Sequence, residues 1–140
     1  MKVLEQNILG NHLSLIKMSK FLSINKKIEN FDKKINISGD KSLSIRWVLL
    51  ASQAIGKSRA YNLLMSEDVL AAIESVKKLG IKVTINKNYC EVFGNGINGF
   101  KYTKNLTINA KNSGTLGRLI LGLLIKSPKK IKLIGDKSLS

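Results

Sequence analysis

Apolar positions along this chain switch between two periods, and the switches mark its elements. From Leu43 to Ile55 they occupy most of a helical circumference (Trp47, Val48, Leu49, Leu50, Ala51, Ala54, Ile55), which predicts a helix enclosed on most sides. Ser42 is placed to cap it and Gly56 to stop it. A second helix opens at Ser66-Glu67-Asp68, carries Val69, Ala72, Ile73, Val76 and Leu79 at helical spacing, and stops at Gly80. Short strands are predicted over Arg59–Leu63, Lys82–Ile85 and Tyr89–Phe93, the last two joined by a hairpin turn at Asn86-Lys87-Asn88. Upstream, alternating Ile35 and Ile37 suggest a strand running into Gly39, so the first unit reads βαβαββ. The pattern then restarts: a strand over Leu106–Asn109, a polar turn at Asn112–Thr115, an apolar helix over Leu116–Ile125 and a strand over Lys129–Ile134. Residues 135–140 repeat residues 39–44 letter for letter, the mark of a repeat architecture.

The expected organisation has four parts. Residues 1–18 form an aperiodic leader, disordered or lying ahead of a natural start at Met18. An opening strand region spans 19–38, a first βαβαββ unit 39–105, and a second unit, cut short, 106–140.

Hydrophobic residues at 44% and charged residues at 24% fit a globular α/β chain rather than a disordered one. The only cysteine, Cys90, excludes an internal disulfide and reads as a structural thiol. The only histidine, His12, sits in the leader and reads as a surface residue. No apolar run approaches the roughly 20 residues of a membrane span. A net charge of +15 invites a nucleic-acid reading. However, the cations are scattered lysines apart from Arg46, Arg59 and Arg118, and aromatics make up only 6%. That predicts non-specific attraction to polyanions rather than a base-stacking platform.

The candidate chemistry lies at two turns that feed helix N-termini. In Gly39-Asp40-Lys41-Ser42-Leu43-Ser44-Ile45-Arg46, a glycine turn delivers Lys41 and Ser42 to a helix start, where unpaired amides and the dipole attract anions. Arg46 follows Ser42 by one helical turn, on the same side. This is not a Walker P-loop, because position 34 is lysine rather than the required earlier glycine. At the second turn Asn112 and Thr115 offer an amide and a hydroxyl, Gly114 lets backbone approach a ligand closely, and Arg118 follows in the helix. Ordinary capped helices with solvated Lys41 and Arg46 are the plainer alternative. Two anion-receptive turns in one small unit favour a site for a polyanionic ligand.

These motifs, with Asn62-Leu63-Leu64-Met65-Ser66-Glu67-Asp68-Val69, Lys78-Leu79-Gly80-Ile81 and Asn112-Ser113-Gly114-Thr115-Leu116-Gly117-Arg118, resemble in order and spacing the landmarks of the 3-phosphoshikimate 1-carboxyvinyltransferase (EPSP synthase) family. The resemblance runs from about residue 19 to residue 140. It implies the enolpyruvyl transferase fold, an inside-out α/β barrel built of βαβαββ units and incomplete here. It also implies carboxyvinyl transfer from phosphoenolpyruvate to the 5-hydroxyl of shikimate 3-phosphate in aromatic amino-acid biosynthesis. No metal or organic cofactor is implied. By the family pattern Lys41 contacts both substrates, Ser42 and Arg46 hold shikimate 3-phosphate, and Gly114 borders phosphoenolpyruvate in a pocket shaped by Asn112 and Thr115. The implied partners are these two small molecules, with no specific nucleic acid and no membrane. The implied setting is the cytoplasm, with a monomeric full-length enzyme. Residues 1–140 stop before the place of the family's Lys-Arg-Pro motif and no catalytic residue is assigned, so these residues by themselves are expected to be inactive and poorly stable. Three other readings stay open: the sister UDP-N-acetylglucosamine enolpyruvyltransferase, against which Ser42 and the absence of cysteine from 135–140 count, a small basic nucleic-acid-binding protein, and a truncated, non-catalytic remnant of the enzyme.

Overall fold

The computed structural model describes residues 16–18, 21–23, 32, 35, 37–103 and 105–139. The chain divides into two units, residues 1–36 and 37–140. In the first, β1 (Ile16–Met18) and β2 (Phe21–Ser23) pair antiparallel. β1 takes up the end of the stretch read as a leader; residues 1–15, with His12, lie outside those described.

The second unit runs α1 (Lys41–Gln53), β3 (Ile55–Tyr61), α2 (Glu67–Lys78), β4 (Lys82–Ile85), β5 (Tyr89–Asn95), β6 (Leu106–Asn109), α3 (Gly114–Leu124) and β7 (Ile131–Ile134). Its strands form an antiparallel sheet of order β3-β5-β4 and a parallel pair, β6-β7. α1 packs on β5 and α2 on β4, while α1 and α2 also pack on each other and on α3. Strand alternation turns Val83, Cys90 and Val92 inward. There they join Ile45, Val48 and Leu49 of α1, Val69, Ala72, Ile73 and Val76 of α2, and Leu116 and Ile120 of α3 in one core. Cys90 is the buried structural thiol expected, and burial raises its pKa.

The predicted α2 and β4 are found as read, with Gly80 at a left-handed φ of +85° just past the helix end, and the hairpin's second strand runs past the predicted Phe93 to Asn95. Four expectations are corrected. α1 begins two residues before Leu43, because Asp40 caps it: its Oδ1 accepts from Leu43 N at 2.7 Å. Ser42 therefore lies inside the first turn and is not the cap. α1 also ends at Gln53, and Gly56 lies within β3. The seven-residue ladder from Ile55↔Asn95 to Tyr61↔Tyr89 draws the backbone into strand from Ile55 onward, so sheet pairing overrides helical pattern.

Nor is α1 enclosed on most sides. Leu43 and Leu50 are about two-thirds exposed, because α2, α3 and β5 cover only the Ile45–Val48–Leu49–Ser52 side. Ile35 and Ile37 belong to no strand and are exposed, so among the described residues no strand runs into Gly39. Apart from these four, residues 135–139, which repeat the sequence of 39–43, do not form a second helix start. Asp136 Oδ1 bonds Ser138 N and Oγ (2.9 and 2.6 Å), and residues 137–139 form a turn. Asp136 thus bonds two residues on within a turn, whereas Asp40 bonds three residues on, to Leu43 N, at the head of α1.

The sheet's outer face is a polar ladder. Arg59 Nε and Nη2 donate to Glu91 Oε1 (3.0 and 2.6 Å), with Lys57 Nζ 3.3 Å from the same oxygen. The Arg59 guanidinium stacks on Tyr89 at 4.3 Å. Hydrogen bonds from Arg59 hold the Glu91 carboxyl below its ordinary pKa. A lowered folded-state pKa contributes stability above the ordinary carboxylate range, and that stability is lost as pH falls through the folded value. Thermal melts across acid pH are expected to show this loss in the native chain. In Glu91→Gln the melting temperature should start a few degrees lower at neutral pH and lose that part of its acid dependence.

Candidate anion-binding site

Three helix starts assemble at one edge of the second unit. At α1, Asp40 satisfies the amides of Leu43, through its side chain, and Ser44, through its carbonyl (3.0 Å). The amides of Lys41 and Ser42, the first two of the helix, make no bond among the described residues. At α3 the cap is Ser113, whose Oγ accepts from Leu116 N at 3.3 Å. Helix α3 thus starts at Gly114, two residues earlier than expected, and Thr115 is not its cap. Lys41-Ser42 and Gly114-Thr115 consequently hold the same two positions of their helices, and Ser42 and Thr115 each place a hydroxyl at the second. Arg46 and Arg118 follow on the exposed sides of α1 and α3. A methyl at Gly114 would lie 3.1 Å from Arg118 Nη2, so that guanidinium folds back over the turn.

The first turn of α2 joins these two starts. Lys41 Nζ is 3.0 Å from Asp68 Oδ2, and Lys111 Nζ is 3.5 Å from Glu67 Oε1. Beside the second pair lies a cavity of about 240 Å³, lined by Glu67, Asn109, Lys111, Asn112, Gly135 and Asp136. It opens where the parallel strands β6 and β7 end, the usual crevice for ligands in parallel α/β sheets. Asn112 thus lines a polar cavity, Lys41 is not among its lining residues, and Arg46 makes no ion pair with another described residue. Of the lining residues, Asp136 has its carboxyl held below its ordinary pKa, chiefly by the Ser138 hydroxyl and then by the amides of Ser138 and Leu139.

Gly39 sets the first turn against the loop after β3. A Cβ there would lie 2.2 Å from Asn62 O and 2.9 Å from Leu64 N. The contact is bolted on both sides, by Asn62 Nδ2 donating to Ile37 O (2.9 Å) and by Leu64 N donating to Ser44 Oγ (3.1 Å). Sequence reasoning missed Asp68, Glu67 and Lys111 as members of this edge. The partners of Asp68 and Glu67, Lys41 and Lys111, lie far away in the chain, so no local pattern points to either pair.

Together these features define a layered α/β protein that presents hydroxyls, amides and cations at adjoining helix ends, groups whose chemistry suits anions. Comparison with known proteins makes this particular. Residues 25–140 match the family described as EPSP synthase (3-phosphoshikimate 1-carboxyvinyltransferase), and the chain belongs to that family. It is 42% identical over 106 residues to the 3-phosphoshikimate 1-carboxyvinyltransferases of Streptococcus pyogenes serotypes M2 (strain MGAS10270) and M1, a match covering 76% of this chain and 24% of theirs. It superposes on a solved EPSP synthase from Acinetobacter baumannii with a TM-score of 0.67 and 32% identity, covering 77% of this chain and 24% of that one. The chain therefore spans about a quarter of the length of the relatives it matches. The likeness identifies the α/β architecture as that of the enolpyruvyl transferase fold, in part. Among the described residues no helix is long and apolar enough to cross a membrane.

Proposed function

We propose that this chain supplies the shikimate 3-phosphate side, and part of the phosphoenolpyruvate side, of a carboxyvinyl transfer site. Residues 39–105 and 106–140 are successive repeat units, and the cytoplasm is the setting. In the reaction the 5-hydroxyl of shikimate 3-phosphate adds to phosphoenolpyruvate, and the tetrahedral intermediate then loses phosphate. Two anionic substrates must be brought together, so the first requirement is to offset their repulsion with fixed amides and cations. Lys41 at the head of α1 serves both substrates. Ser42 and Arg46 hold the shikimate phosphate, while Asn112, Gly114 and Thr115 shape the phosphoenolpyruvate side. The observation that supports this reading most is the linkage of both turns to one short element, α2's first turn, through ion pairs of 3.0 and 3.5 Å.

Calorimetric titration tests it. Shikimate 3-phosphate should bind saturably, and shikimate without its phosphate at least about tenfold more weakly, since a charge-assisted hydrogen bond is worth about 1.5–3 kcal/mol. Equal responses to shikimate 3-phosphate and to inorganic phosphate would refute it by exposing a merely basic surface.

A further inference from the structure

We propose that Asp68 is a positioning residue, fixing the ammonium of Lys41 in the orientation that receives the anionic ligand; this rests on the reading of Lys41 as a ligand-binding cation. A lysine carries its charge on a four-carbon stem with three rotatable donors, and the Lys41 side chain is 52% exposed. Such a group samples many rotamers unless something selects one. Asp68 Oδ2 lies 3.0 Å from its Nζ, and the Asp68 side chain is only 14% exposed. That carboxylate is itself immobilised. It sits in the first turn of α2, where the helix dipole favours a negative charge. The loop leading into α2 is bonded to the start of α1 by Leu64 N to Ser44 Oγ and, through Asn62, to the backbone at Ile37. Lys41 and Asp68 therefore belong to two helix starts held in register by bonds that involve neither side chain. The pair uses one ammonium donor and leaves two for a ligand. The neighbouring acid, Glu67, is turned to Lys111 instead.

The opposite reading makes Asp68 a resident counter-ion that competes with the ligand, and the two differ in sign. Removing a carboxylate raises the positive potential at the site, so electrostatics alone predicts tighter anion binding in Asp68→Asn. Weaker binding requires that orientation was lost. Ordering one flexible side chain corresponds to about a two- to tenfold change in affinity.

The experiment titrates shikimate 3-phosphate into the full chain, its Asp68→Asn and Lys41→Met variants and the double variant, with NMR detection of the lysine Nζ–H signals. Asp68→Asn is expected to bind about two- to tenfold more weakly and to lose the hydrogen-bonded Lys41 ammonium signal. In the Lys41→Met background it should change affinity no further. Unchanged or tighter binding by Asp68→Asn overturns the proposal, as does an equal loss in the Lys41→Met background, which would mean Asp68 acts through the fold alone. Should the asparagine variant not fold, Asp68→Ser is judged by the same outcomes. If the unmodified chain does not bind shikimate 3-phosphate, the functional reading fails. The positioning claim is then decided by the Lys41 signal, which must be present in the unmodified chain and absent in Asp68→Asn.

Discussion

Gly39→Ala is expected to reduce shikimate 3-phosphate binding by well over tenfold, although the alanine touches no ligand. The added methyl would stand 2.2 Å from Asn62 O and 2.9 Å from Leu64 N. Both are backbone atoms, so no side-chain rotation relieves the clash. Either the turn ahead of α1 or the loop ahead of α2 must move. The cheapest movement separates them and breaks the bond from Leu64 N to Ser44 Oγ, because Asn62 and Leu64 are the atoms struck. Separation carries Asp68 away from Lys41 and tilts the first amides of α1. Misaligning the amides and the ammonium loses charge-assisted hydrogen bonds worth about 1.5–3 kcal/mol each, tenfold or more in affinity. Overpacking of this kind costs about 1–3 kcal/mol of stability, so the variant should remain folded at low temperature. Circular dichroism checks the fold and calorimetry the binding. Native-like affinity in a folded Gly39→Ala chain would mean that contact between the two loops is irrelevant to the site.

The same contact shows what could be read in advance. α2 was legible because every local signal agreed: Ser66 ahead of an acidic turn, apolar positions at helical spacing, and a glycine at the end. Even there the Ser66 hydroxyl makes no capping bond, and its buried Oγ has no partner among the described residues. Lys41, Ser42, Asn112, Gly114 and Thr115 were legible as candidates because a turn feeding a helix is a local pattern. The ion pairs that link the turns were not, since Lys41 meets Asp68 and Glu67 meets Lys111 only once the three helices pack. The end of α1 failed for a related reason. Ala54 and Ile55 continue the apolar helical pattern, yet the backbone of β5 claims Ile55. The repeated hexapeptide sets the limit of such reading: identical residues give a helix start at 39–44 and a turn at 137–139.

The largest stability effect is expected from Ile45→Ala, with Leu50→Ala as its contrast on the same helix. Both residues are apolar, and the sequence pattern assigned both to a buried helix. The fold separates them: Ile45 is fully buried, while Leu50 is 67% exposed. Truncating a fully buried isoleucine removes transfer energy and leaves a cavity, a loss of about 2–5 kcal/mol. An exposed leucine away from any special contact changes stability by less than about 0.5 kcal/mol. With a urea dependence of about 1–3 kcal/mol per molar, Ile45→Ala should lower the unfolding midpoint by about 1–2 M, and Leu50→Ala should leave it nearly unchanged. Because a domain holds only about 5–15 kcal/mol in total, the Ile45 variant spends a large share of it. Ile45 also directly follows Ser44, the residue that bolts α1 to the loop ahead of α2. Its loss should therefore loosen Lys41 as well, and binding should weaken at denaturant concentrations where the variant is still folded. Equal midpoint shifts for the two variants would show that α1 is buried on both sides in solution, as its sequence pattern alone suggests.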